Sequence, residues 1–191
     1  MHAPDGLNAI GVKLVDARSS VHRPLLERIV DGVIGFAYPF RSTDRSHNLT
    51  SRRVTALYGQ LYELDQLNEA TLLAIPEMFG VANITAFRHL SAIARAGHVI
   101  QADGTDDYLS NANLRNFAVP TLFVHGGLNR CFAPAGTLMT IDALSRVNDR
   151  GLYVRREIAE TGHIDCIFGK NAVRDVYPAI VQHLDQTARN Q

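Results

Sequence analysis

The residues of this sequence best suited to chemistry are Gly162-His163-Ile164-Asp165, a Gly-His turn that leaves a strand-like run and enters a helix-like one within residues 160–169. Imidazole is the side chain whose ordinary pKa lies between pH 5 and 8, so a histidine fixed on such a turn is the expected proton carrier. His163 is the candidate general base, with the bland alternative that it is a polar loop residue bonded only to its neighbours. Asn129 lies 163 − 129 = 34 positions earlier, just past another apolar run. An amide can hold an imidazole ring in place but cannot stabilise its charged form, and in a serine protease the acid-to-amide exchange costs on the order of ten-thousand-fold. The acid would then be Asp142, Glu160 or a carboxylate outside the chain, while Asp165 reads as a helix cap.

A base needs a nucleophile, and the sequence offers no Gly-x-Ser-x-Gly elbow around Ser19, Ser20, Ser42, Ser46, Ser51, Ser91, Ser110 or Ser145. Cys131 and Cys166 fall in the same two loops as Asn129 and His163, where a thiolate beside the histidine is chemically sensible. Buried cysteine is common packing material, however, and neither residue sits on an elbow.

The elements that must position these residues come in two styles. Before residue 117 the pattern is helical. Pro24 precedes Leu26, Ile29, Val30, Val33 and Ile34 at helical spacing; Ser51 is a candidate cap for a face of Val54, Leu57, Tyr58 and Leu61. A short helix carrying Leu72, Leu73 and Ile75 is expected to be interrupted at Pro76. Asn83 is placed to cap another with Ile84, Phe87, Leu90 and Ala94 inward, closed by Gly97. Tyr58, Tyr62 and Phe79 suit a core or an apolar substrate pocket, and periodicity does not separate the two. His89 and His98 read as surface or satisfied interior residues. Two extended pieces, 98–100 and 107–109, are expected about a turn at Asp103-Gly104.

From Phe117 the pattern alternates. Residues 119–125 form an apolar, β-branched run expected to be a strand buried on both faces, and 135–147 a helix with Leu138, Ile141 and Leu144 inward. Residues 152–158 read as an edge strand and 171–184 as one final helix packed through Val173, Val176, Ile180 and Leu184. This is β-α-β-α, and both strand-following loops, Gly126 to Pro134 and Glu160 to Gly169, fall on the carboxyl rim where ligands collect in parallel sheets. The fold class is α/β, with 1–116 an N-terminal extension and mainly helical region and 117–191 the sheet-bearing part.

The run from Val119 through His125-Gly126-Gly127-Leu128-Asn129, then Pro134, then Gly162-His163-Ile164-Asp165 with Ile167 and Gly169, resembles the last two strand loops of α/β-hydrolases. The His-Ile-Asp-x-Ile-x-Gly form is similar to the acid-lipase branch and, more closely, to bacterial hydrolase modules joined to cholesterol-oxidase-like (GMC) oxidoreductases. The runs 57–68 and 77–83 resemble the helical cap of those modules, so the resemblance covers most of residues 45 to 185. It implies an incomplete α/β-hydrolase fold, a cap followed by the last strands, with His163 in the base position and Asn129 where the triad acid usually stands. It implies an esterase- or lipase-like hydrolase acting on an apolar ester or lipid-like small molecule when complete, and inactive without a nucleophile-bearing N-terminal half. The alternatives are a noncatalytic binding or assembly remnant, or the C-terminal part of a flavin oxidoreductase fusion. The last would need a Gly-x-Gly-x-x-Gly segment outside the chain, since none occurs within it.

Composition sets the remaining bounds. With 46% hydrophobic and 20% charged residues the 191-residue chain has the balance of a globular protein. Nineteen basic against nineteen acidic residues give no attraction to nucleic acid. No run reaches the roughly 18 apolar residues of a membrane span, and no signal segment opens the chain. The two cysteines form neither a C-x-x-C pair nor a disulfide framework, which fits a cytoplasmic protein without zinc, and no cofactor is expected. Asn48-Leu49-Thr50 and Asn83-Ile84-Thr85 match the glycosylation pattern but read as turn and cap residues. Lacking the central strands, the chain alone is expected to expose a sheet edge and an apolar face, and so to associate or pack loosely.

Overall fold

The computed structural model describes residues 29, 32, 51, 54, 55, 58–79 and 84–189, the side chains of Pro76 and Ile84 excepted. Of the helix read after Pro24 only Ile29 and Gly32 are described, both helical and Ile29 exposed; the loop over 41–48, the Asn48 pattern, the cap at Asn83 and the contribution of Leu57 lie outside the described residues.

The described chain mixes helices with a two-stranded parallel sheet. In order come α1 (Glu69–Met78), α2 (Ile84–Ala96), α3 (Asn111–Arg115), β1 (Thr121–Gly126), α4 (Ala135–Ser145), β2 (Tyr153–Ile158), α5 (Asp165–Phe168), α6 (Ala172–Asp175) and α7 (Tyr177–Arg189). Strand β1 pairs with β2 from Thr121 opposite Tyr153 to Gly126 opposite Ile158, so the strands end level with one another. The loops that follow them therefore leave the sheet side by side.

Two apolar clusters hold the pieces. One joins Leu114, Ile141, Leu144 and Tyr153, with Phe123 and Val147 against them, and ties α3 and α4 to the sheet. Hydrogen bonds from Asn148 Nδ2 to the Leu114 carbonyl (2.8 Å) and from the Tyr153 hydroxyl to the Phe117 carbonyl (2.8 Å) fix the same layer. The second cluster joins Val54, Leu61, Tyr62, Leu67 and Ile75 to Cys131. It packs the segment before α1 onto the loop after β1, with Ile164 at its margin.

Several elements differ from the sequence expectation. Helix α1 runs through Pro76 to Met78. Proline withholds one ladder N–H, a cost of about 3 kcal/mol in a helix interior. Here it falls near the helix end, next to Ile75, which at 1% exposed is anchored in the core. The single final helix is two: α6 ends at Asp175, Val176 forms a turn between them at φ −114° and ψ −54°, and α7 begins at Tyr177. Pro178 supplies the break, because it has no N–H to give the Arg174 carbonyl four residues back and fits only a first turn. Of the four residues expected inward on that helix, Val176 is buried, whereas Val173, Ile180 and Leu184 are exposed.

The expected extended pieces at 98–100 and 107–109 are not strands. The expected turn lies between them, with Gln101 N–H bonded to the Thr105 carbonyl (2.8 Å) and Gly104 at φ +91°. Leu138, Leu90 and Ala94 are exposed, not inward. In β2 the buried residue is Tyr153, whose hydroxyl needs the Phe117 carbonyl, and Val154 faces outward, inverting the expected alternation. Most of β1 is half-buried, so the reading of a strand covered on both faces is also corrected.

Candidate functional site

The two rim loops touch through backbone. The Gly127 N–H donates to the Ile158 carbonyl (2.8 Å) and the Leu128 N–H to the Thr161 carbonyl (2.9 Å). At Gly126 the approach is so close that an added Cβ would lie 1.8 Å from the Gly162 carbonyl oxygen and 2.4 Å from that of Thr161. Only glycine permits this crossing, and it brings the loop of Asn129 against the loop of His163.

The His163 turn is pinned from three sides. Asp165, 0% exposed, accepts the Gly162 N–H at 2.7 Å and, at 3.5 Å, the Glu63 N–H. It thus closes the turn three residues back from its own place as the first residue of α5, and it does not cap the last helix. The Leu61 carbonyl accepts both the His163 and the Ile164 N–H (3.0 and 2.9 Å). Beyond the turn, the Gln66 carbonyl accepts the Lys170 N–H (2.6 Å), and the Gln66 side-chain amide donates to the Glu160 carbonyl (2.9 Å). Residues 58–68 therefore lie along the rim as a lid held by hydrogen bonds. Glu160, which opens the turn, is a non-glycine residue at φ +59°, a backbone region that costs about 1–3 kcal/mol and persists only where surroundings enforce it.

On this frame Asn129 and His163 meet, as their spacing suggested. Asn129 Oδ1 accepts two backbone N–H groups, from Cys131 (3.0 Å) and Phe132 (2.9 Å), and its Nδ2 lies 3.3 Å from His163 Nδ1. The Phe132 ring meets the imidazole edge-to-face, centroids 4.9 Å apart. Burial, above all, holds the His163 pKa below its ordinary 6.5; His125 nearby pushes the same way and Asp165 pulls it back up. The ring is thus neutral at pH 7.

The carboxylate that acts on His163 is Asp165. Asp142 is exposed on α4 and Glu160 is exposed at the turn, and neither bonds the imidazole among the described contacts. Burial raises the Asp165 pKa, against the N–H groups of Gly162 and Glu63 that favour its charge. Cys131 and Cys166 are both buried, and burial pushes both thiols up. Cys131 lies 3.6 Å from the Tyr58 carbonyl and Cys166 3.6 Å from that of Gly162. These are packed thiols, disfavoured as thiolates.

Sequence reasoning missed three participants. His125 is buried at the rim end of β1, and its Nε2, like Asp165 Oδ1, has no hydrogen-bond partner among the described residues. A histidine ending an apolar strand carries no mark of its burial. Phe132 had no periodic signal in a loop. The Asp165 role was signalled by its position three residues after Gly162, the spacing of a local side-chain-to-backbone bond. Tyr58, Tyr62 and Phe79 pack in the cluster around Ile75, and the Tyr62 hydroxyl bonds Ser51 Oγ at 2.6 Å. A cavity of about 410 Å³ lies apart from the rim, walled by Phe117, Phe123, Leu114, Leu144 and Tyr108. Among the described residues no group of three His, Cys, Asp or Glu is placed to hold a metal, and no helix is long and apolar enough to cross a membrane. No family model, curated protein or solved structure matches the chain.

Proposed function

We propose that this chain is the lid and C-terminal rim of an α/β-hydrolase, derived from an esterase or lipase acting on apolar esters, and that it does not hydrolyse esters by itself. The observation that carries the reading is the meeting of Asn129 and His163 on adjacent strand-end loops beneath residues 58–68. The resemblance assigns base and acid to those same two positions. In a complete site, with a carboxylate in the place of Asn129, a serine outside these 191 residues would lose its Oγ proton to the imidazole as it adds to the ester carbonyl. The leaving alcohol would take that proton back as the acyl-enzyme forms, and water would repeat the exchange to release the acid. A fluorophosphonate label should therefore appear only when a nucleophile-bearing polypeptide is co-expressed with the Asn129→Asp chain, and should vanish when His163→Ala is added. Labelling of the purified chain alone would place a competent serine within it and overturn the assignment.

A noncatalytic binding or assembly role is the second reading, favoured by the amide at position 129 and by the two packed thiols. Binding of a long-chain ester analogue by the isolated chain, unchanged by His163→Ala, would select it over the first.

A further inference from the structure

We infer that Asn129 is a positioning residue that locks His163 in the Nε2–H form, so that the imidazole presents a hydrogen-bond donor rather than a base. The orientation of the amide is decided by its other contacts. Its oxygen accepts two backbone N–H groups, Cys131 at 3.0 Å and Phe132 at 2.9 Å. Turning the amide over would set its NH2 against both donors, leaving two N–H groups without an acceptor in a loop where Asn129 is itself buried. With the oxygen fixed inward, the NH2 faces His163 Nδ1 at 3.3 Å. An Nδ1–H would place donor against donor. Nδ1 therefore accepts, and the single proton of the neutral ring resides on Nε2.

A general base working through Nε2 needs the opposite arrangement, with Nδ1–H held by an acceptor and the Nε2 lone pair free. As built, His163 offers Nε2–H to an uncharged acceptor such as a carbonyl oxygen, beside the Phe132 ring. A carboxylate at position 129 would invert this without moving the loop. Both backbone N–H groups would keep an oxygen acceptor, and the second oxygen would accept from Nδ1–H.

This inference stands on the Asn129–His163 geometry and survives failure of the hydrolase reading. The test is long-range 1H–15N NMR of the imidazoles of the full chain, with His163 assigned by its loss in His163→Gln. Above the titration of His163, the wild type is expected to show Nε2 protonated and Nδ1 bare. Asn129→Asp is expected to reverse the two nitrogens and raise the His163 pKa, with His125 on β1, Asp165 on α5 and Glu63 on the lid unchanged as its charged or titratable neighbours. Asn129→Ala, which removes the donor and adds no charge, is expected to let the Nδ1–H form become populated, and serves where the aspartate variant fails to fold. A wild-type ring protonated on Nδ1, or a tautomer that neither variant moves, would overturn the proposal.

Discussion

At the scale of single residues, the rim is a place where charge has been made difficult. His163 is depressed by burial and by His125, and Asp165 is raised by burial, so each is pushed toward its neutral form. The two have opposite consequences for stability. Asp165 contributes most below its ordinary pKa, and that contribution is lost as pH rises through its raised folded value. His163, depressed, contributes stability that is present above about 6.5 and is lost as pH falls through its folded pKa, because the unfolded chain takes up the proton first. The stability difference between wild type and His163→Gln, from urea titrations at pH 7.5 and pH 5 at micromolar concentration, should thus move against the wild type at the lower pH. A difference independent of pH would mean that His163 has no lowered pKa. Its type and position marked His163 in the sequence at once; its environment was not legible, because the Leu61 carbonyl and Phe132 ring that touch it and the nearby His125 lie 102, 31 and 38 positions away.

At the scale of elements, β1, β2 and α4 were read from period and composition close to where they stand, since long apolar or helical runs leave few alternatives. The misreadings cluster where a single proline or a hydroxyl decides. Pro76 was absorbed near a helix end, Pro178 split the last helix, and Tyr153 turned its face inward for one hydrogen bond. The lid was harder still. Its hold on the rim consists of backbone bonds such as Leu61 carbonyl to His163 N–H, which no side-chain pattern announces. Glycine at the loop crossing gives the sharpest test of how the elements meet. Gly126→Ala would force its Cβ into the Gly162 carbonyl, whereas Gly136, in the first turn of α4, has nothing within 4 Å of an added Cβ. Thermal or urea unfolding should show Gly126→Ala destabilised by about 2–4 kcal/mol, in the range of core overpacking and worse. Gly136→Ala should gain about 0.4–1 kcal/mol. Equal effects at the two positions would mean that the rim loops do not cross as described.

At the scale of the whole molecule, the described residues leave much apolar surface uncovered, and its distribution is regular. On α7, Tyr177, Ile180, Val181 and Leu184 recur at the spacing of one helical face, and all four are exposed, Val181 at 55% and Leu184 at 60%. Val173 just before the helix and Val154 on β2 are exposed as well. An apolar stripe of this kind normally lies against another layer, since each fully buried aliphatic side chain contributes about 1.5–3 kcal/mol. The periodicity was therefore legible in the sequence, but whether the stripe is covered was not, because coverage is a property of the neighbour and not of the helix. Left open, it should drive self-association: the wild-type chain should elute from size exclusion at a volume that depends on concentration and should bind an apolar dye. Val181→Lys with Leu184→Lys should shift elution to the monomer and weaken dye binding, while helical circular dichroism and the melting midpoint stay within the small range of surface changes. A concentration-independent wild-type monomer with a sharp, cooperative melt, or a large loss of stability in the double variant, would show that the stripe is already buried.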